Sequence, residues 1–235
     1  MRLFPVCILL IVLSSCSKQE NEDVTTPTTP NTQIAIIGNQ TWSNINLDVA
    51  TYSDGTPIPQ VTTLQIGNAV TTGAWCYYSL NTTPSSYGKL YNWYAVAGIH
   101  DEASKLDVSK RKKLAPTGWH IASDAEWTTL TTFLGGEAVA GRLMKGDFSG
   151  GVSGGRVVTS NSFNGLPGGA HLFDGGFWTW VPDKTKGYWW STTQVEGGSA
   201  QNASAYGRYL ESFFDNASRG FWRNPSFLSV RCIKD

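Results

Sequence analysis

Residues 116–136 read PTGWHIASDAEWTTLTTFLGG, and simple physical rules fix the role of most positions in that run. Pro116-Thr117-Gly118 is a turn, and Trp119–Ile121 is a short strand candidate. Ser123 and Glu126 then stand three apart at a helix start. The Ser123 hydroxyl accepts from the Glu126 amide while the Glu126 carboxylate reaches back, so two donors that a helix end leaves open are satisfied. Trp127, Leu130 and Leu134 fall on one face of the helix that follows, and Gly135-Gly136 ends it. A shorter helical piece is expected over 137–145. One other segment has helical spacing. In KLYNWYAVAG (89–98), Leu90, Trp93, Tyr94 and Ala97 repeat at i, i+3, i+4 and i+7, which predicts an amphipathic helix stopped at Gly98.

The remaining apolar runs are short. IAIIGNQTW (34–42) alternates loosely into an Asn-Gln turn and reads as a strand or hairpin arm, and TTGAWCYYS (71–79) is aromatic and β-prone. SDGTPIPQV (53–61) is a loop, since Asp54-Gly55 turns the chain and Pro57 and Pro59 forbid regular pairing. From Gly146 onward the chain reads as glycine-rich and irregular, with strand candidates at 187–193, 205–210, 219–223 and 227–233. With 25 Gly, 10 Trp and only 15% charged residues, a helical bundle or coiled coil is excluded and a loop-rich β or α+β protein is expected. The 18 basic and 18 acidic side chains cancel, which leaves no basic excess to neutralise phosphates and argues against a nucleic-acid partner.

The N-terminus reads as an address. Met1-Arg2, an apolar run from Leu3 to Leu13, and Ser14-Ser15-Cys16 have the layout of a secretory signal, and the run is too short to span a bilayer. LSSC resembles the bacterial lipobox, whose enzymes cleave before the Cys and acylate it. The expectation is a signal peptide over 1–15, a lipidated Cys16, a solvated tether over 16–33 and one domain over 34–235, held to the membrane by its lipid anchor. Glu20, Glu22 and Asp23 resemble an acidic export signal of outer-membrane lipoproteins displayed on the cell surface. Cys76 and Cys232 then remain in an oxidising compartment, where two thiols most simply form one disulfide; two buried free thiols or a metal site are the alternatives.

Taken together, IGNQTW (37–42), TTGAWCYYS (71–79), YGKLYNWYAV (87–96), PTGWHIASDAEWTTL (116–130), FNGLPGG (163–169), GYWWSTT (187–193) and LSVRCIKD (228–235) resemble the Fibrobacter succinogenes major paralogous domain in order and spacing. The resemblance implies a C-type-lectin-like α+β fold. Two helices would flank twisted antiparallel sheets, the termini would lie close together, and long loops would carry function. It also carries a distant similarity to formylglycine-generating sulfatase-modifying enzymes. That chemistry needs two neighbouring cysteines late in the chain, and Cys232 stands alone there, so no enzymatic activity and no cofactor are expected.

No other motif argues for catalysis. His120, next to Trp119 and before a capped helix, reads as a packed, hydrogen-bonded histidine, and Asp124 and Glu126 read as helix-start carboxylates. The lectin-type calcium ligands have no counterpart at Arg223-Asn224-Pro225, so no metal is expected. What remains is 200–228, AQNASAYGRYLESFFDNASRGFWRNPSFL, dense in Tyr, Asn, Ser, Arg, Phe and Trp. Rigid aromatics and small polar groups are the vocabulary of binding surfaces. Tyr206, Tyr209, Phe213, Phe214, Phe221, Trp222 and Arg223 are the candidate ligand-binding residues. The expected ligand is a glycan or an extracellular protein, and a structural part of an envelope assembly is the alternative. Trp189, Trp190 and Val230 are expected in the core.

Overall fold

The computed structural model describes residues 34–148, 162–197 and 203–235. The expected signal 1–15, Cys16 and the tether 16–33 lie outside the described residues. In chain order the elements are β1 (Ile34–Ile37), β2 (Gln40–Ser43), β3 (Trp75–Cys76), β4 (Leu90–Asn92), α1 (Trp93–Val96), α2 (Glu102–Leu106), β5 (Trp119–Ile121), α3 (Asp124–Phe133) and α4 (Glu137–Met144), followed by β6 (Ala170–Asp174), β7 (Phe177–Val181), β8 (Lys186–Gln194), β9 (Ser204–Glu211), β10 (Ser218–Arg223), β11 (Phe227–Leu228) and β12 (Cys232–Lys234). Among the described residues the strands form three antiparallel sheets, ordered β1-β2-β12-β5, β10-β9-β8 and β3-β4-β11-β6-β7. The fold class is α+β, dominated by sheet.

The first sheet joins the two ends of the domain. β1 alternates exposed and buried residues, as a half-buried edge strand should, and turns into β2 through Gly38-Asn39, with Gly38 at φ 61°. β12 inserts between β2 and β5, so that Ile233 lies opposite both Trp42 and His120. α3 begins as its sequence requires. The Ser123 hydroxyl accepts from the Glu126 amide at 3.3 Å, and Glu126 Oε2 accepts from the Ser123 amide at 2.7 Å. Trp127 and Leu130 are fully buried beneath it, and Gly135 and Gly136, both at positive φ, end it.

Two local expectations are corrected. Residues 89–98 do not form one helix: Leu90–Asn92 is strand β4, and only a single turn, α1, follows. Asn92 makes the switch. Its side-chain oxygen accepts from the Ala95 amide of the helix (3.1 Å) and from the Ala74 amide (3.0 Å), and its Nδ2 donates to the Thr72 carbonyl. The helix ends at Gly98, φ 73°, where expected. The second correction is the hairpin β6–β7 in a stretch read as irregular. Gly175-Gly176, at φ 55° and 88°, makes the tight turn, and five residue pairs register across it.

β8 lies between two parts of the core because successive side chains on a strand point to opposite faces. Trp189 packs with Trp42, Trp127, Phe163 and Leu210, while Trp190 packs with Tyr91, Trp93 and Val230. Each buried indole N–H finds an acceptor, Trp189 on Asn46 Oδ1 and Trp190 on the Tyr91 carbonyl, both at 2.8 Å. The expected disulfide is not formed: Cys76 and Cys232 are free and buried. They belong to different sheets. Cys76 registers with Leu90 and packs with Ala74 and Phe227, whereas Cys232 registers with Ile121. Burial raises both thiol pKa values, that of Cys232 to about 12, so neither thiol ionises at neutral pH.

Candidate functional site

The C-terminal candidates meet on the sheet β10-β9-β8. Gly207 and Gly220 face each other across β9 and β10, with Tyr206 opposite Phe221 and Ala205 opposite Trp222. The glycine pair leaves a bare patch, and the Trp222 indole lies over it. A Cβ on Gly220 would come within 2.8 Å of that ring, and one on Gly207 within 2.9 Å. Lying along the ribbon, Trp222 reaches Tyr209, with centroids 6.1 Å apart, and Tyr188 at 5.3 Å, both nearly perpendicular to it. Tyr188 and Tyr209, opposed across β8 and β9, stack at 5.4 Å with planes 12° apart. Each such aromatic contact contributes about 0.5–1.5 kcal/mol beyond the area it covers.

The other parity of the ribbon carries charge. Arg208 and Arg219 stand directly opposite each other, a repulsive pair unless neutralised. Asp124, in the first turn of α3, bridges them. Its carboxylate accepts from Arg208 Nη1 at 2.6 Å and from Arg219 Nε and Nη2 at 3.1 and 2.9 Å. Burial pushes the Asp124 pKa up, but the hydrogen bonds from Arg219 and Arg208 outweigh it and hold the carboxyl below its ordinary value. The Arg219 guanidinium also sits 3.7 Å over the ring of Tyr206. The cap on α3 therefore orients the carboxylate that holds the ribbon.

These residues border an open groove of about 630 Å³. Its aromatic lining is Tyr188, Tyr206, Tyr209, Phe221 and Trp222; Glu211 and Arg219 bring charge, and Val195 and Gly220 complete it. Glu211 is paired with Lys186 at 2.7 Å. A smaller hollow beside it is lined by Tyr209, Glu211, Phe214 and Asn216.

The turn between β9 and β10 presents Phe213 and Phe214 to solvent, yet its backbone is tied down. Lys145 at the end of α4 is buried, and its Nζ donates to the carbonyls of Glu211 (3.0 Å), Ser212 (3.3 Å) and Phe214 (2.6 Å). Burial lowers the Lys145 pKa, partly offset by Asp215. The Ala217 amide donates to Glu137 and the Arg142 amide to Asp215. α4 comes close enough for this because Gly141 has no side chain where the Asn216 carbonyl lies.

Of the seven candidates, Tyr206, Tyr209, Phe221 and Trp222 line the groove and Phe214 lines its neighbour. Phe213 is exposed on the turn, and Arg223 ends β10 opposite Ser204; neither is in either lining. Tyr188, Glu211 and Arg219 were not among the candidates. Register could have found two of them, since Tyr188 falls opposite Tyr209 and Arg219 opposite Arg208 once the three strands are paired.

The histidines sit elsewhere. His120 is hydrogen-bonded on both nitrogens, Nε2 to Glu126 and Nδ1 to Asp235, each at 2.7 Å. His171 is buried against Tyr78 and Trp180, and burial lowers its pKa to about 4. Among the described residues no group of three or more His, Cys, Asp or Glu side chains is placed to hold a metal ion, and no helix is long and apolar enough to cross a membrane.

The family described as Fibrobacter succinogenes major domain matches residues 36–234. No curated protein and no solved structure matches the chain.

Proposed function

The chain belongs to the Fibrobacter succinogenes major domain family, and we propose that it is a binding protein whose recognition site is the groove on the β9–β10 ribbon. The observation that carries this reading is the contrast between exposure and order at that ribbon. Phe213, Phe214 and Phe221 are each more than half exposed, while the strands and turn beneath them are fixed by Asp124 and Lys145. Exposed aromatics on a rigid frame are costly to keep in water and pre-organised for a partner, so little ordering is lost on binding. A groove of this size fits a few sugar rings or a protein loop.

The wider setting follows the sequence. A C-type-lectin-like arrangement is supported by the closing of first and last strands in one sheet and by the capped helix beside it. Acylation of Cys16 would hold the domain at the outer membrane, on the cell surface, with 16–33 as its tether. The protein acts by binding and not by catalysis. One observation favours a second reading as a structural part of an envelope assembly: Tyr209 and Trp222 also pack onto the main core, as scaffolding aromatics would. Screening the full-length protein and a Phe221→Ser variant against arrayed glycans and extracellular proteins separates the two. A saturable signal that the variant loses supports recognition, and silence from both supports the scaffold.

A further inference from the structure

We infer that the ligand of the β9–β10 groove is an acidic saccharide, a glycan bearing carboxylate or sulfate groups. This rests on the reading of the groove as a recognition site and adds the chemical class of what it takes. A pyranose ring offers one face of C–H groups and a rim of hydroxyls. The groove offers the counterpart in the rings of Tyr206, Tyr209, Phe221 and Trp222, which are partly or largely exposed and backed by buried Tyr188, with Glu211 and the tyrosine hydroxyls beside them. Edge strand β10 leaves backbone groups open that a peptide could also use, but most of the lining is aromatic side chain, the surface that a pyranose C–H face covers.

The charge follows from the ion pairs. Arg219 lines the groove and its side chain is 41% exposed, while its partner Asp124 is 16% exposed. The same holds for the pair at Glu211, where Lys186 is 36% exposed against 21% for the carboxylate. Of the two charged side chains in the lining, Arg219 at 41% is more open than Glu211 at 21%, and Lys186 stands outside the lining as the counter-ion of Glu211, so an approaching ligand meets the Arg219 charge first. Arg208, fully buried, adds a second cation to the Asp124 carboxylate, which is therefore outnumbered. The Arg219 guanidinium, held 3.7 Å over the Tyr206 ring with Nε and Nη2 on Asp124, is fixed in place and presents an exposed positive charge to a carboxylate or a sulfate.

The test is calorimetric titration of the full-length protein with three probes: hexagalacturonate, neutral maltohexaose of the same ring count, and hexaglutamate. The expected result is hexagalacturonate binding at least tenfold tighter than maltohexaose and weakening as salt rises, because screening shortens the reach of exposed charge. Arg219→Gln should weaken hexagalacturonate about tenfold and Arg219→Lys less, since the ammonium keeps the charge without the fork. Arg219→Lys also guards against misfolding, because it can keep an ion pair with Asp124. Phe221→Ser should weaken hexagalacturonate as well. Equal binding of both saccharides, each weakened by Phe221→Ser, would overturn the acidic class and leave the groove standing. Hexaglutamate binding as tightly as the uronate would overturn the saccharide in favour of an acidic protein. Hexagalacturonate binding indifferent to Phe221→Ser would overturn the groove itself, and no binding of any probe would overturn the acidic-saccharide assignment.

Discussion

At the scale of single residues, the stability of this domain leans on buried or clamped cations that no sequence pattern announced. Arg231 is fully buried, and among the described residues it has no carboxylate partner. It donates to Asn46 Oδ1, to the Ser43 and Phe163 carbonyls at 2.8 Å each, and to the Asn164 carbonyl at 2.7 Å, and burial pulls its pKa down to about 9. Arg231→Met would remove the guanidinium donors from the three carbonyls and one of the two donors on Asn46 Oδ1, and a loss of about 3 kcal/mol is expected in urea unfolding. A loss below about 1 kcal/mol would mean that water replaces the guanidinium. His120 makes a different prediction. Burial tends to lower its pKa, but the hydrogen bonds it donates to the Glu126 and Asp235 carboxylates prevail and raise it above the ordinary 6.5. A raised folded pKa means stabilisation that is complete below the unfolded value and fades as pH climbs through the folded one. The melting-temperature gap between the native protein and His120→Gln should therefore be wider at pH 6 than at pH 9; an equal or inverted gap would contradict the charged bridge. The sequence reading had His120 hydrogen-bonded but could not name its partners, because Asp235 is brought to it only by the pairing of β12 with β5.

Elements were legible where local rules suffice. The cap, length and stop of α3 depend on Ser123, Glu126 and Gly135-Gly136 alone, and they were all readable. Ser123→Ala should cost about 1 kcal/mol, since it leaves the Glu126 amide without its acceptor. The run 89–98 misled because helical spacing and strand pairing both suit Leu90 and Tyr91, and pairing with Trp75-Cys76 on one side and Phe227-Leu228 on the other decides for the strand. The β6–β7 hairpin was missed although Gly175-Gly176 marks its turn, since the surrounding glycines hid the signal. At the β9–β10 ribbon, the Gly207–Gly220 pair is the feature on which the groove depends. Gly220→Ala would drive a methyl group into the Trp222 ring, and about 1–3 kcal/mol of overpacking strain is expected. The displaced indole should show as a changed near-ultraviolet circular dichroism spectrum; an unchanged spectrum would mean that the ring does not rest on the glycines.

For the molecule as a whole, the family and the α+β class followed from the order of short motifs along the chain, and the aromatic density of 200–228 pointed to the β9–β10 ribbon. It could not sort groove from turn, since that depends on which residues face each other across β8, β9 and β10. Cysteine counting failed because it carries no geometry: the two thiols sit in separate sheets. Reducing agent should accordingly leave the melting temperature unchanged, and both thiols should react with a thiol reagent only after unfolding; a drop on reduction would restore the bridge. The central claim is that the aromatic groove is a recognition site. Its most direct measurement is saturation binding of the full-length protein to arrayed glycans and extracellular proteins beside a Phe221→Ser variant, whose replaced side chain is solvent-facing and leaves the core intact. The account predicts a saturable signal in the native protein that falls at least tenfold in a variant with the same melting temperature. An undiminished signal in that variant, or no signal in either protein, would contradict it.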